Sequence, residues 1–138
     1  MNYKSESDNH IFIIEDDLYM QSVLNYCFTK NYETSIFSNG MAAMSALQNG
    51  TIPDLIITDL NTPFLNGLEL IKQVKASGFF SSIPIIILTG DHSSENKIKC
   101  LSEGADDYVL KPFNPKELEI RVNIVLKRTG NLYSLKHA

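Results

Sequence analysis

The sequence is poor in cysteine. Cys27 and Cys100 are its two cysteines among 138 residues, and both fall in stretches with helical periodicity. Two cysteines placed in this way do not make a disulfide framework, so we interpret them as buried or half-buried thiols.

Long apolar runs and an excess of positive charge are also lacking. No apolar stretch approaches the roughly 18 residues of a membrane span, and no signal-peptide pattern is present. We therefore expect a cytoplasmic protein with no membrane association. The formal net charge is −4, so we also expect that this chain does not itself bind nucleic acid.

What is present is the composition of an ordinary globular domain. Hydrophobic residues make up 43% of the chain and charged residues 20%, and the length suits one domain with a real core. The polar residues 1–10 are predicted to be a flexible N-terminal segment. Residues 11–128 are predicted to form the domain, and residues 129–138 a tail or the start of a linker.

Short apolar runs alternate along the chain with stretches of helical periodicity. Strands are predicted at residues 11–14, 33–37, 54–58, 84–88 and 107–110, and each is followed by a helix. Met20, Val23, Leu24, Cys27 and Phe28, for example, recur at the spacing of one helix face. Continuous apolar strands joined by helical crossovers predict an α/β fold with a parallel sheet covered on both faces.

The fifth helix has a clear start signal. Asn114 is a good N-cap, Pro115 suits the first helical position, and Glu117 stands where a capping box requires it. Asp17 is interpreted in the same way, as the N-cap of the first helix.

Polar residues follow four of the predicted strands, at the point where each strand ends. Ligands bind outside the carboxyl ends of the strands in open parallel sheets, so these residues are expected to converge there. Each residue alone has a structural explanation, as a cap, a turn or a solvated charge, but all of them at one edge indicate a site. They are Glu15, Asp16, Asp17, Asp59, Asn61, Thr89 and Lys111.

Crowded carboxylates require compensation. Two of them about 4 Å apart repel by roughly 1 to 4 kcal/mol at effective dielectric constants between those of water and a protein surface, and each raises the pKa of the other. A divalent cation removes this conflict, and all-oxygen ligands suit Mg²⁺. Lys111 adds a cation and Thr89 a hydroxyl, and both groups can bind phosphoryl oxygens.

Four motifs resemble the receiver domain of two-component response regulators. They are IIEDD (13–17), PDLIITDLNTPFLNG (53–67), PIIILTG (84–90) and GADDYVLKPF (104–113). The resemblance covers roughly residues 10–128 and implies a flavodoxin-like, doubly wound sheet in the order 2-1-3-4-5. It implies that Asp59 accepts a phosphoryl group from a sensor histidine kinase or a phosphotransfer protein, and that the chain catalyses only its own phosphorylation and dephosphorylation.

The resemblance also implies the metal ligands. Asp16, Asp59 and the backbone carbonyl of Asn61 would bind Mg²⁺ directly, and Glu15 would act through a water molecule. Thr62 stands where the family usually has methionine, a position that concerns loop packing.

The same resemblance implies the switch. Lys111 would hold the phosphoryl group and precede Pro112 by a cis bond. Thr89 would be the switch hydroxyl and Tyr108 the switch aromatic residue, which rotates inward after Thr89 moves. The side chain of Asp91, together with that of Asn61, is hypothesised to assist hydrolysis of the acyl phosphate.

The stretch GADDYVLKPFNPKELEIRV (104–122) resembles receivers of the winged-helix transcription-factor branch, which dimerise through this face when phosphorylated. We expect a phosphorylation-enhanced homodimer with Lys97 paired to Glu117, and Asp107 to Arg121, across a two-fold axis. The alternative is a set of solvated helix charges. The predicted dimer face comprises Lys97, Asp106, Asp107, Glu117, Ile120, Arg121 and Ile124.

Two other functions remain as alternatives. DLNT (59–62) approaches the DxDxT motif of haloacid-dehalogenase-type phosphatases, but their general-acid aspartate is replaced by Asn61, and an amide cannot serve. The second alternative is a receiver domain that docks to partner proteins but is not phosphorylated. Mg²⁺-dependent labelling by acetyl phosphate or beryllofluoride distinguishes the three.

Overall fold

The computed structural model describes residues 9–130, which form a five-stranded parallel sheet in the order β2-β1-β3-β4-β5. Four pairwise registers hold it together, for example Ile14 opposite Thr58 between β1 and β3. The predicted fold and strand order are confirmed. The strands are β1 (His10–Ile14), β2 (Glu33–Phe37), β3 (Leu55–Thr58), β4 (Ile85–Thr89) and β5 (Asp107–Leu110).

A helix follows every strand. The helices are α1 (Leu18–Phe28), α2 (Gly40–Gln48), α3 (Gly67–Ala76), α4 (Ser94–Ser102) and α5 (Pro115–Arg128). None of the helices between residues 9 and 130 is long and apolar enough to cross a membrane.

Alternate residues of the central strands pack into two separate hydrophobic cores, one on each face of the sheet. Ile11 and Ile13 pack on one face of the sheet with residues of α1 and α5. Phe12 and Ile14 pack on the other face with residues of α2, α3 and α4. Because side chains alternate along a strand, coverage of both faces explains why residues 11–14 of β1 are all apolar.

The helix starts agree with the sequence with one exception. Asp17 caps α1 through the Met20 N–H at 2.8 Å, and Asn114 caps α5 as predicted. The capping box expected at Glu117 is only half formed: the Glu117 N–H donates to Asn114 Oδ1 at 3.2 Å, whereas the Glu117 carboxylate accepts from Arg121 Nε at 3.2 Å. A capping box that the sequence analysis did not predict links Asn66 and Glu69 at the start of α3.

The predicted terminal segments are only partly described. Residues 1–8 and 131–138 lie outside the described residues. Of the predicted N-terminal segment, Asn9 is buried and His10 belongs to β1. Of the predicted tail, Thr129 caps the end of α5.

Candidate functional site

Three carboxylates converge at the carboxyl edge of the sheet. One oxygen from each of Glu15, Asp16 and Asp59 lies within 4.8 Å of the others. The strands position them, since β1 and β3 are neighbours in the sheet and the Asp59 N–H donates to the Ile14 carbonyl at 3.0 Å. This brings together residues that are far apart in the chain, as the sequence predicts.

The three carboxylates differ in their environment. Glu15 is buried with 2% exposure, Asp59 is half-buried and Asp16 is exposed. Burial raises the pKa of Glu15, and its hydrogen bond with Lys111 opposes this only in part. A cluster of three oxygen ligands, one of them exposed to solvent, fits a cation such as Mg²⁺ that retains several waters.

Lys111 supplies the positive charge in this cluster. Its Nζ lies 2.6 Å from Glu15 Oε1 and 3.4 Å from Asp59 Oδ2, and its backbone N–H donates to the Thr89 carbonyl at 2.8 Å. Burial alone lowers the pKa of Lys111, but its hydrogen bond with Glu15 and the charge of Asp59 raise it overall. The lysine therefore remains charged and offsets part of the repulsion between the carboxylates.

The pairing of Glu15 with Lys111 was missed by the sequence analysis. Glu15 was expected at a solvated strand end or in contact with a metal-bound water. The structure also places it, buried, against the lysine that follows β5, although β3 and β4 separate β1 from β5 in the sheet. No local pattern signals a contact across two intervening strands.

The loop after β3 is tightly packed around the acceptor position. Asn61 is exposed, and its N–H approaches Asp59 Oδ1 at 3.5 Å. Thr62 is buried and its hydroxyl donates to the Leu65 carbonyl at 2.9 Å, so it has a packing role. A Cβ on Gly67 would lie 2.8 Å from the Asp59 carbonyl oxygen, so only glycine allows α3 to start this close.

The two residues predicted to form the switch, Thr89 and Tyr108, both hydrogen-bond to the backbone of Asp91. Thr89 is buried, and its Oγ1 accepts a hydrogen bond from the Asp91 N–H at 3.2 Å. The Tyr108 hydroxyl donates to the Asp91 carbonyl at 3.1 Å. Burial raises the pKa of Tyr108 to about 12. Tyr108 is already buried here with 7% exposure, whereas the predicted switch has it rotate inward. The Lys111–Pro112 bond is cis, as expected.

The expected dimer face pairs most of its charges within the chain. Arg121 Nη1 lies 2.9 Å from Asp107 Oδ2, and its Nε 3.2 Å from Glu117 Oε2. Asp106 accepts a hydrogen bond from the Ile85 N–H at 2.8 Å. Lys97 is exposed. Ile120 and Ile124 are 49% and 50% exposed.

Residues 11–123 match the family model described as the response regulator receiver domain. The chain belongs to this receiver family. The receiver fold is shared with a Francisella response-regulator receiver, which has a TM-score of 0.80 and 35% identity over 88% of this chain and 99% of that one. The acid pocket of this receiver domain fits the Mg²⁺ and phosphoacceptor site of two-component receivers.

Two further relatives extend the comparison. The DNA-binding response regulator MtrA of Mycobacterium tuberculosis is 33% identical over 122 residues, which cover 88% of this chain and 52% of MtrA. The chain thus spans about half the length of that relative. A receiver domain of a sensor histidine kinase from Pseudomonas aeruginosa, solved with magnesium coordinated in its active-site cleft, has a TM-score of 0.77 and 26% identity over 90% of this chain and 99% of that one.

Proposed function

We propose that Asp59 is the phosphoacceptor of this receiver domain. The observation that carries the proposal is the convergence of Glu15, Asp16 and Asp59 with Lys111 at the edge of the sheet. Asp59 follows a fully buried strand and is held through its backbone by β1. A carboxylate positioned in this way can attack a phosphorus atom in line with the leaving group.

The donor set fits Mg²⁺, with Asp16, Asp59 and the backbone carbonyl of Asn61 as direct ligands. Glu15 is the outer ligand, since it is buried and already bonded to Lys111. Bound Mg²⁺ would neutralise the charge of the transferring phosphoryl oxygens. Lys111 would bind a phosphoryl oxygen on Asp59, and this requires that its ammonium group, now 2.6 Å from Glu15 Oε1 and 3.4 Å from Asp59 Oδ2, turn toward Asp59.

Exposed apolar side chains flank the acid pocket and support docking of a protein phosphodonor. Leu18 and Tyr19 at the start of α1 are 76% and 75% exposed, and Phe64 in the loop after β3 is 77% exposed. Exposed apolar groups around a polar centre are typical of protein interaction sites. We therefore infer that a sensor histidine kinase or a phosphotransfer protein supplies the phosphoryl group in the cytoplasm.

Labelling of the full chain by acetyl phosphate tests the proposal. Wild type should gain one phosphoryl group in Mg²⁺ and none in EDTA, as measured by intact mass. Asp59→Asn should gain none, because its amide has nearly the same shape but is not a nucleophile. Undiminished labelling of Asp59→Asn would reject Asp59 as the acceptor, and no labelling of wild type would favour a docking receiver. Sustained turnover of free phosphate esters would indicate an enzyme with outside substrates.

The exposed Ile120 and Ile124 support self-association through α4, β5 and α5. Because Arg121 already pairs with Asp107 and Glu117 in one chain, a dimer would have to exchange or share these pairs across its axis. Exposed ion pairs contribute only about 0 to 1 kcal/mol each, so the two isoleucines would provide most of the affinity. The net charge of −4 supports the further proposal that this chain does not bind nucleic acid directly.

Sedimentation of the chain with and without beryllofluoride tests the dimer. The activated protein should associate at tens to hundreds of micromolar, and Ile124→Asp should abolish the association. The control is Lys116→Asp, which introduces an aspartate at an exposed α5 residue outside the predicted face and changes the charge by two units rather than one. A dimer that survives Ile124→Asp, or an activated chain that stays monomeric, would contradict the proposal.

A further inference from the structure

Asp91 connects both switch residues to α4. Its backbone N–H donates to Thr89 Oγ1, and its carbonyl accepts from the Tyr108 hydroxyl. Its carboxylate accepts from the Ser93 backbone N–H at 2.8 Å and from Asn96 Nδ2 at 2.7 Å. One residue thus bonds to the end of β4, to β5 and to the first turn of α4.

Both carboxylate oxygens of Asp91 are bonded to residues at the start of α4. This differs from the hypothesis that the Asp91 side chain assists hydrolysis of the acyl phosphate. The bonds from Ser93 and Asn96 hold the pKa of Asp91 below its usual value. The carboxylate is therefore charged at neutral pH, and both bonds are charge-assisted, which makes them stronger than neutral ones.

Little of the apolar surface of α4 is buried. Among the described residues of α4, Cys100 is the one that is buried. Ile98 is 65% exposed and Leu101 41% exposed. A helix with so little buried apolar surface gains little from the core, so a change at its first turn can move it at low cost.

We propose that the hydrogen bond between Asp91 and Asn96 is a clamp that holds α4 in the arrangement seen here, and that movement of Thr89 toward a phosphoryl group on Asp59 releases it. This inference rests on the proposed function. The Asp91 N–H to Thr89 Oγ1 distance is already 3.2 Å, near the upper limit for such a bond. Movement of the hydroxyl toward a phosphoryl group on Asp59 would stretch it and displace the Asp91 backbone.

The clamp has a thermodynamic consequence at the phosphorylation site. If it stabilises the unphosphorylated arrangement, it lowers the population of the arrangement that binds a phosphoryl mimic, and the apparent affinity falls by the same factor. Removing the clamp should therefore tighten binding at the distant Asp59. Asp91 and Asn96 are positioning residues in this scheme, because neither touches the phosphoryl group.

The experiment measures the affinity of beryllofluoride for the full chain in Mg²⁺ by calorimetry. Asn96→Ala removes the side-chain half of the clamp and should tighten binding about three- to ten-fold, the value of one charge-assisted and partly exposed hydrogen bond. The matched control is Ser93→Ala. It removes the bond from the Asn96 N–H to Ser93 Oγ and loosens the same helix turn, but leaves the clamp in place. Its affinity should stay within about two-fold of wild type, although its thermal stability falls.

A conservative variant provides a second readout. Asp91→Asn can keep the bond from Ser93 and donate to Asn96 if the Asn96 amide flips, so its affinity should lie nearer wild type than that of Asp91→Ala. Hydrogen exchange of residues 91–102 is measured in the absence of beryllofluoride. The amides that follow the first turn of α4 should exchange faster in Asn96→Ala than in Ser93→Ala.

The two proposals fail in different ways. Wild type that does not bind beryllofluoride, with its fold intact, would overturn the proposed function and the clamp with it. Wild type that binds, with binding abolished by Asp59→Asn, would sustain the proposed function. Under that result, equal affinities for wild type and Asn96→Ala, or equal shifts in Asn96→Ala and Ser93→Ala, would overturn the clamp alone.

Discussion

The loops that follow β3 and β4 lie side by side at the same sheet edge but are held in different ways. After β3, the backbone itself is tightly packed. Gly67 leaves no room for a Cβ beside the Asp59 carbonyl, and a Cβ on Gly40 would lie 2.4 Å from the Leu65 carbonyl. After β4, the loop is held by hydrogen bonds: the Ser93 N–H donates to the Asp91 carboxylate, and the Asn96 N–H donates to the Ser93 hydroxyl, which caps α4.

The helices that follow these loops continue the difference. α3 begins with a capping box and buries Leu70, Ile71 and Val74, whereas α4 buries Cys100 among its described residues. Close packing resists displacement because any shift creates overlap or a cavity, but a single hydrogen bond contributes only about 1 kcal/mol. The loop after β3 and α3 are thus expected to stay rigid, while the loop after β4 and α4 are expected to move. We call these the rigid side and the movable side.

The largest expected effect is at the carboxylate cluster, where Asp16 in the loop after β1 lies beside Asp59 at the start of the rigid loop. Asp16→Ala should weaken Mg²⁺ binding by more than about ten-fold, since even outer-shell changes commonly cost 10- to 100-fold. Its control is the next carboxylate, Asp17→Ala, which should lower the free energy of unfolding by about 1 kcal/mol through loss of the α1 cap and leave Mg²⁺ affinity nearly unchanged. Calorimetric titration measures both, and equal affinities for wild type and Asp16→Ala would remove Asp16 from the metal site.

Alanine substitutions at one glycine near each loop compare the packing of the two loops directly. Gly67→Ala should lower the free energy of unfolding by about 1 to 3 kcal/mol, because its Cβ would overlap backbone atoms of Asp59 and Leu60. Gly90→Ala, in the loop after β4, meets no atom within 4 Å and should be neutral or stabilise by up to about 1 kcal/mol. Urea denaturation of the two variants provides the comparison. Equal losses would mean that the loops are packed alike.

Hydrogen exchange should separate α3 from α4 without any mutation. The amides of α4 should exchange faster than those of α3, because α4 buries less apolar surface. Beryllofluoride with Mg²⁺ should change exchange across residues 89–108 more than across residues 67–76. A uniform response, with the ligand shown to be bound, would contradict the division into a rigid and a movable side.

The smallest effect concerns Tyr108 at high pH. Its pKa is raised to about 12 by burial, so the folded chain keeps a proton that the unfolded chain loses from about pH 10 upward. Stability contributed by this group is present below pH 10 and falls as the pH rises toward 12. Tyr108→Phe should not show this part of the stability loss at alkaline pH, as measured by thermal unfolding between about pH 9 and 12. Parallel pH profiles for the two proteins would contradict the burial of the phenol.

Local pattern predicted the elements well, because buried parallel strands are apolar throughout and helices show their period. The five predicted strands agree with the observed ones to within one residue at each end. The same local reasoning failed at Glu117, where a capping box and an ion pair compete for one carboxylate. The sequence has the residues for a capping box with Asn114 and for an ion pair with Arg121. In the structure, the Glu117 carboxylate pairs with Arg121.

Chain order and residue type were enough to place Asp59 and its neighbours at one sheet edge, since parallel strands present their carboxyl ends together. They were not enough for the contacts between residues that follow separate strands. Glu15 meets Lys111 across two strands, and Tyr108 meets Asp91 between β5 and the loop after β4. These pairs depend on sheet twist, side-chain length and burial, which arise only when the elements pack, so the electrostatics of the acid pocket and the connection to α4 come from the folded chain.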